Sequence, residues 1–364
     1  METERATKKR KVCVIGQFPP PVHGLSKALD TMWRGLEENF DLEKIDIKDN
    51  KKILFHLIKL IKSRADVFYF TISQSKGGNR RDLWLLSLIA KKKKKCVVHL
   101  HGGYYRTLVD GELSEKQRKK NFAAMKKVDG AIVLSDSLKG IFAGMVPEEK
   151  IFTVSNCVDD EFVLSPGEWE KKRENFSKKN VLHILYLSNF NPEKGYKEAL
   201  ALAKVAKESG EGRFHFDFAG KFFDEKERAY FDSFVRENAL EGVLTYHGAV
   251  AGEEKKRLLK EGDIFLLLTR YPKEGQPVSV IEAMANGMAV VSCDHAAIPD
   301  MVKDGENGIL CRRGEEKDAV ALYERIKDLS CDLPAVGERN YAAARERYSE
   351  KAYLAALREI LEKI

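Results

Sequence analysis

Apolar residues along this chain fall into short runs of about four to seven, separated by longer segments in which they recur at helical spacing. Such runs occupy 12–16, 67–72, 96–100, 130–134, 151–159 (running into a turn), 181–187, 214–218, 243–246, 263–269 and 288–291. Runs this continuous suit strands covered on both faces, as parallel strands are. Helical spacing follows them: Leu25, Leu29, Met32, Trp33 and Leu36 in the first segment, then 83–90, then Leu200, Leu202 and Val205, and finally Tyr353, Leu354, Leu357, Ile360 and Leu361 in 349–364. The stretch 51–64, KKILFHLIKLIKSR, is apolar nearly throughout with lysine at its ends, and Ile53, Leu54, Leu57, Ile58 and Ile61 read either as the core face of a helix or as part of an amphipathic surface segment. Strand and helix alternating in this way predict α/β architecture with doubly wound parallel sheets.

A chain of 364 residues exceeds a comfortable single core, so two domains are expected. The charged, apolar-poor stretch 166–180 predicts a linker between a first domain at 1–165 and a second at 181–345, with a closing helix at 346–364. Composition excludes a disordered chain, since 43% of residues are hydrophobic. No apolar run approaches the roughly 20 residues of a membrane span, and the polar start METERATKKRK lacks the apolar segment of a secretory signal, so a cytoplasmic location is expected. The six cysteines, at 13, 96, 157, 293, 311 and 331, form no CxxC and read as free, mostly buried thiols. Between 51 and 100, thirteen Lys and Arg face two Asp, although the whole chain carries only +7, so positive charge is concentrated in the first half.

The stretch 274–282, EGQPVSVIE, leads into AMANG at 283–287 and lies between two apolar runs, so it reads as a strand-loop-helix passage. Its loop residues Gly275, Gln276, Val278 and Ser279 would present backbone N–H groups at a helix N-terminus, which favours an anion such as a diphosphate, and Pro277 can occupy the first turn of that helix without losing a needed N–H. Glu274 on the loop and Glu282 on the helix could accept hydrogen bonds from sugar hydroxyls. A phosphorylated sugar is the ligand class that combines both. The strand at 96–100 ends in His99-Leu100-His101-Gly102-Gly103, where two histidines on one face would suit a metal pair or, alternatively, a partly buried cap of the strand; no further ligands follow at metal-site spacing. Arg106, just beyond, could reach an anion.

Two glutamates with seven residues between them, leading into an EAMANG-type turn, resemble the signature of family 4 retaining glycosyltransferases of the GT-B fold, and further matches run nearly the whole chain in order. The resemblance implies two Rossmann-like domains facing a cleft, the last helix packing back on the first domain, and a nucleotide-diphosphate sugar, a UDP-sugar foremost, as donor. It implies no metal or other cofactor, and a glycan or lipid-linked acceptor in cell-surface polysaccharide synthesis. Residue by residue, it assigns Gly24 to the donor phosphates, Lys194 of the NPEKG loop to the diphosphate, Glu274 to the donor sugar and Glu282 to the ribose. His101 would lie by the sugar, Gly220 would end a strand at the donor, and Gly248 and Ala249 would line the base pocket. Asn189 stands where the family carries an arginine, and Cys157 where it carries glycine in the Asn-x-Val-Asp turn. A Rossmann oxidoreductase is excluded because 16–24 lacks GxGxxG spacing, whereas a nonenzymatic nucleotide-sugar binder of the same fold remains open. The basic first half also predicts docking on an anionic membrane surface; nucleic acid is not an expected partner.

Overall fold

The computed structural model describes residues 9–20 and 24–364. It divides into two compact units, one comprising 1–156 with 350–364 and the other 157–349. Both are built on the same logic: buried apolar runs become central strands, and helices return the chain across the sheet so that every strand pair is parallel.

In the first unit the strands are β1 (Lys11–Gly16), β2 (Asp41–Asp46), β3 (Val67–Thr71), β4 (Lys95–His99), β5 (Gly130–Val133) and β6 (Ile151–Thr153), in the sheet order β2-β1-β3-β4-β5-β6. Register pairs Val12 with Val67 and Ile15 with Phe70, and β1 and β3 are almost wholly inaccessible. The closing helix Glu350–Lys363 belongs to this unit: Tyr353 Oη donates to the Ala28 carbonyl at 3.2 Å, Arg10 donates to the Leu361 carbonyl at 2.6 Å, and a side chain at Gly35 would collide with Leu354. Gly77 and Gly78 lie in the first turn of the helix Lys76–Lys91, whose N-cap Ser75 accepts the Gly78 N–H through its hydroxyl.

The second unit carries β7 (Leu182–Leu187), β8 (Phe214–Ala219), β9 (Leu244–Gly248), β10 (Ile264–Leu267), β11 (Ala289–Cys293) and β12 (Gly308–Cys311), ordered β12-β11-β10-β7-β8-β9. The expected linker at 166–180 is instead mostly helix, Pro166–Asn175, belonging to this unit. A capping box starts it, the Ser165 hydroxyl accepting the Glu168 N–H while the Glu168 carboxylate accepts the Ser165 N–H. Only Trp169 and Lys172 face inward, which is why its composition reads as solvent-exposed chain. Trp169 stacks on Tyr341 with ring centroids 5.3 Å apart and donates to Glu338 at 2.8 Å.

Lys172 is buried and donates to the carbonyls of Gly262 and Asn286 at 2.6 and 2.8 Å. Burial pushes its pKa down to about 7, against the opposing pull of Asp263. A folded pKa below the unfolded one means that the unfolded chain binds more protons between about pH 7 and 10.5, so the Lys172 penalty is relieved as pH rises through that window. Urea unfolding should therefore show stability gained between pH 7 and 9.5 relative to Lys172→Met, by about 1 kcal/mol or more. Parallel pH profiles of the two proteins would show that Lys172 is not the source.

None of the six cysteines is in a disulfide; Cys13, Cys96, Cys293 and Cys311 are buried and Cys331 is exposed. Among the described residues, no helix is long and apolar enough to cross a membrane.

Candidate functional site

In the second unit β7 and β10 are neighbours, although the chain leaves them toward opposite ends of the sheet order. Such a switch point opens a crevice beyond the carboxyl ends of its two strands, where doubly wound folds bind ligands. The loops that follow these two strands carry Lys194 and Glu274.

Asn191 begins the first loop's short turn Pro192–Lys194 by accepting the Glu193 N–H at 3.0 Å. Gly195 then takes φ +77°, with the Leu268 carbonyl where a β-carbon would stand, so only glycine lets the loop lie this close to the end of β10. The loops are joined by the Arg270 N–H donating to the Glu193 carbonyl at 2.8 Å. As a result Lys194 Nζ lies 2.5 Å from Glu274 Oε2, with both side chains largely buried. Thr269 Oγ1 donates to the same carboxylate oxygen at 3.3 Å, and the Tyr271 ring lies 4.8 Å from the ammonium. Two charges in so confined a place are tolerated because each neutralises the other. Arg270 itself is fully engaged by Asp294, Glu316 and the Cys311 carbonyl, at 2.6, 3.0 and 3.3 Å.

The helix Val278–Ala285 starts one residue after Pro277, which is its N-cap rather than part of its first turn. Gly275, Gln276 and Pro277 are buried, Val278 and Ser279 half-buried, and the loop is held by the Ala297 N–H donating to the Gly275 carbonyl and by His295 donating to the Tyr271 carbonyl. Glu282, one turn into the helix, is buried and meets Lys255 Nζ at 2.6 Å. Lys255 comes from the helix Gly252–Glu261 and also lies over the Phe162 ring at 4.3 Å.

A third group gathers where β7, β8 and β9 end. Gly220, at φ +152°, donates its N–H to the Gly248 carbonyl at 2.8 Å, and a side chain there would strike the Ser188 carbonyl. The Asn189 carbonyl accepts from Tyr186 Oη at 3.1 Å, leaving the Asn189 side chain at an exposed position; Ala249 is exposed as well. Sequence-selected residues of this unit thus form three clusters at the same ends of the strands.

In the first unit, His101 follows β4 and lines a cavity of about 250 Å³ shared with Gln17, Thr71, Ser73, Gln74 and Arg81. This sheet also switches direction, between β1 and β3, and the cavity lies beyond those strands. Neither His101 ring nitrogen makes a well-formed hydrogen bond, and burial pushes the ring's pKa down to about 4 despite the opposing effect of Asn156. The ring is therefore neutral throughout pH 5–8. His99, fully buried, pairs with Tyr69 Oη at 2.5 Å and lies against the His101 ring with centroids 3.9 Å apart and the planes tilted by 32°. Among the described residues no group of three or more His, Cys, Asp or Glu side chains is arranged to hold a metal ion. Gly24 begins the helix Gly24–Leu36 at an exposed position with open space around a would-be β-carbon; residues 21–23 of the preceding loop lie outside the described residues. Arg106 is held by Asp110 and the Ala143 carbonyl.

A family model described as glycosyl transferases group 1 matches residues 167–353. The chain belongs to this family. A group 1 relative, the amylovoran biosynthesis glycosyltransferase AmsK of Erwinia amylovora, is 30% identical over 203 residues, 54% of this chain and 49% of that protein, so the alignment spans about half the relative's length. The poly(ribitol-phosphate) alpha-N-acetylglucosaminyltransferase of Staphylococcus aureus is 25% identical over 317 residues, 86% of this chain and 59% of that protein. In fold, the group 1 chain is similar to Anabaena HepE, solved in complex with UDP, at TM-score 0.75 and 15% identity, with 97% of this chain and 100% of that one covered. The fold is GT-B, as the sequence led us to expect.

Sequence reasoning about this group 1 protein missed Lys255, Thr269 and Arg270. Lys255 sits in GEEKKRLLK, where nothing local separates it from the surface lysines around it. Thr269 ends the 263–269 run and Arg270 follows it, and only their position at the end of a switch-point strand marks them.

Proposed function

We propose that the protein transfers a sugar, with retention of anomeric configuration, from a nucleotide-diphosphate sugar to a glycan or lipid-linked acceptor in cell-surface polysaccharide synthesis. The observation that carries the reading is the Lys194–Glu274 pair at the switch point of the second unit. A cation there meets the charge that grows on the departing diphosphate, and its carboxylate partner accepts hydrogen bonds from sugar hydroxyls. When a diphosphate enters, Lys194 can bridge it to Glu274, so neither charge is left buried alone. Glu282 is assigned to the ribose, and the backbone of 275–279 to phosphate oxygens. Asn189, Gly220, Gly248 and Ala249 are assigned to the nucleotide end, and Gly24 to the phosphates. His101 is assigned to turnover rather than to nucleotide binding, as a neutral hydrogen-bonding ring.

UDP is favoured as the nucleotide because the fold neighbour HepE was solved with UDP and with UDP-glucose. Polysaccharide synthesis is favoured because relatives are named as glycosyltransferases of amylovoran and colanic acid biosynthesis. The chain's basic first half supports an acceptor at an anionic membrane surface.

Release of nucleoside diphosphate from a panel of UDP, GDP and ADP sugars, measured with candidate lipid-linked and soluble acceptors, tests the reading. Acceptor-dependent release is expected with a UDP-sugar, together with a product that keeps the donor's anomeric configuration. Tight nucleotide-sugar binding without release under any acceptor would identify a binding protein instead.

A further inference from the structure

A helix on the surface of a folded domain normally turns its apolar stripe inward. The helix Ile53–Lys62 does otherwise. His56 and Leu60 are its buried residues, whereas Leu54, Phe55, Ile58 and Ile61 are each more than half exposed. Their spacing gathers them on one face. Of the two readings the sequence allows, the core face therefore does not hold for Leu54, Ile58 and Ile61: the inward side of the helix makes only a narrow contact, and the rest of the apolar run is left in solvent. Lys51, Lys52, Lys59 and Lys62 are exposed along the same helix and its leading turn, with Lys59 Nζ lying 4.7 Å from the Phe55 ring centre.

The helix runs beside a groove of about 710 Å³ that Ile53 helps to line. Trp84 stands in this groove, more than half exposed, and Arg80, Lys120 and Lys127 border it, while no carboxylate is among its lining residues. Lys92 Nζ donates to the Ile61 carbonyl at 2.8 Å, tying the end of the neighbouring helix Lys76–Lys91 to this one. An apolar stripe and an exposed tryptophan rimmed by cations thus form one continuous face.

Charge complementarity selects the occupant. Self-association through a two-fold contact would set these cations against their own copies. A bilayer of anionic lipid offers acyl chains for the stripe and phosphates for the lysines, whose long stems let the ammonium groups stay at headgroup level. We propose that this face is a membrane-insertion surface, with Leu54, Phe55, Ile58 and Ile61 entering the outer acyl region of an anionic leaflet and Trp84 seated at the interface. The proposal rests on the membrane-proximal acceptor of the functional reading and deepens it: attachment comes from apolar insertion as well as from charge.

Cosedimentation with phosphatidylglycerol-containing vesicles and with pure phosphatidylcholine vesicles, at low and high salt, tests it on the full chain. The wild-type protein should bind the anionic vesicles and keep part of that binding at high salt. Phe55→Glu with Ile58→Glu, both at exposed positions, should reduce binding by about tenfold or more, and Lys51, Lys52, Lys59 and Lys62→Gln should weaken mainly the salt-sensitive part. Stabilisation by UDP is measured on the same preparations. Unchanged vesicle binding by the Glu variant, with UDP stabilisation intact, overturns the insertion surface and leaves the functional reading standing. Loss of vesicle binding in the Glu variant, without any response of the wild type to nucleotides, keeps the surface and rejects the functional reading. A dimer that the Glu substitutions disperse, with no vesicle binding at low salt, also overturns the proposal.

Discussion

Lys194→Ala is expected to lower kcat/KM for nucleotide-sugar turnover by about 10²- to 10³-fold, the range seen when one preorganised group facing developing charge is removed. The ammonium is 2.5 Å from Glu274 and largely shielded from water, so its field on a nearby diphosphate is weakly screened. Two effects would act together in the single variant: loss of the cation, and a carboxylate left buried without its partner. The double variant Lys194→Ala with Glu274→Gln separates them. If the cation acts on the leaving group, the double variant should stay as slow as Lys194→Ala while recovering thermal stability. If it only neutralises Glu274, the double variant should turn over as fast as Glu274→Gln alone. Steady-state kinetics on wild type, the two single variants and the double variant reads the difference, and an unaffected kcat/KM in Lys194→Ala would remove Lys194 from the mechanism.

Gly195→Ala should be the most damaging small substitution near the site. At φ +77° an alanine costs about 1–2 kcal/mol in backbone strain, and its β-carbon would meet the Leu268 carbonyl, a backbone atom that cannot rotate away. Overpacking of this kind adds roughly 1–3 kcal/mol, so a total of about 2–5 kcal/mol is expected, read as a lowered urea midpoint at unchanged slope. Turnover should fall too, since relief of the collision moves the adjacent Lys194 away from Glu274. Gly24→Ala is the control: with open space around the added carbon and no positive φ, it should leave the midpoint within about 0.5 kcal/mol of wild type. Equal midpoints for Gly195→Ala and wild type would contradict the steric account.

How far the sequence could be read depended on what each segment buries. β3, β10 and β11 were legible because they are covered on both faces and so read as unbroken apolar runs. β2, with the sequence DLEKID, was not, because an edge strand with Ile45 as its single buried residue carries no apolar run. The helix Pro166–Asn175 was hidden for a related reason, its inward face being Trp169 and a lysine. Ile53–Lys62 misled in the opposite direction, since periodicity identifies an apolar face without saying what that face meets.

The site shows the same divide. Glu274, Glu282 and Lys194 could be chosen from local spacing and resemblance. Their partners could not, because the Lys194–Glu274 and Lys255–Glu282 pairs join residues 80 and 27 positions apart. Contacts of that range follow from the sheet order, which places β7 against β10. Similarly, the spacing of His99 and His101 put both on one strand end, but only the fold brought the rings to 3.9 Å between centroids and buried the His101 ring nitrogens.

Nucleotide binding by the second unit is the claim on which the rest depends, and a thermal-shift titration with UDP, GDP, ADP and their sugars tests it most directly. A ligand at about 100 times its dissociation constant adds roughly 2.7 kcal/mol of stability. UDP and a UDP-sugar are expected to raise the melting temperature of the wild-type protein. Glu282→Gln, which keeps a hydrogen-bonding group beside Lys255, should need about tenfold more UDP for the same shift, since a charge-assisted bond contributes roughly 1.5–3 kcal/mol. No shift with any of these nucleotides, or identical UDP titrations for wild type and Glu282→Gln, would contradict the account.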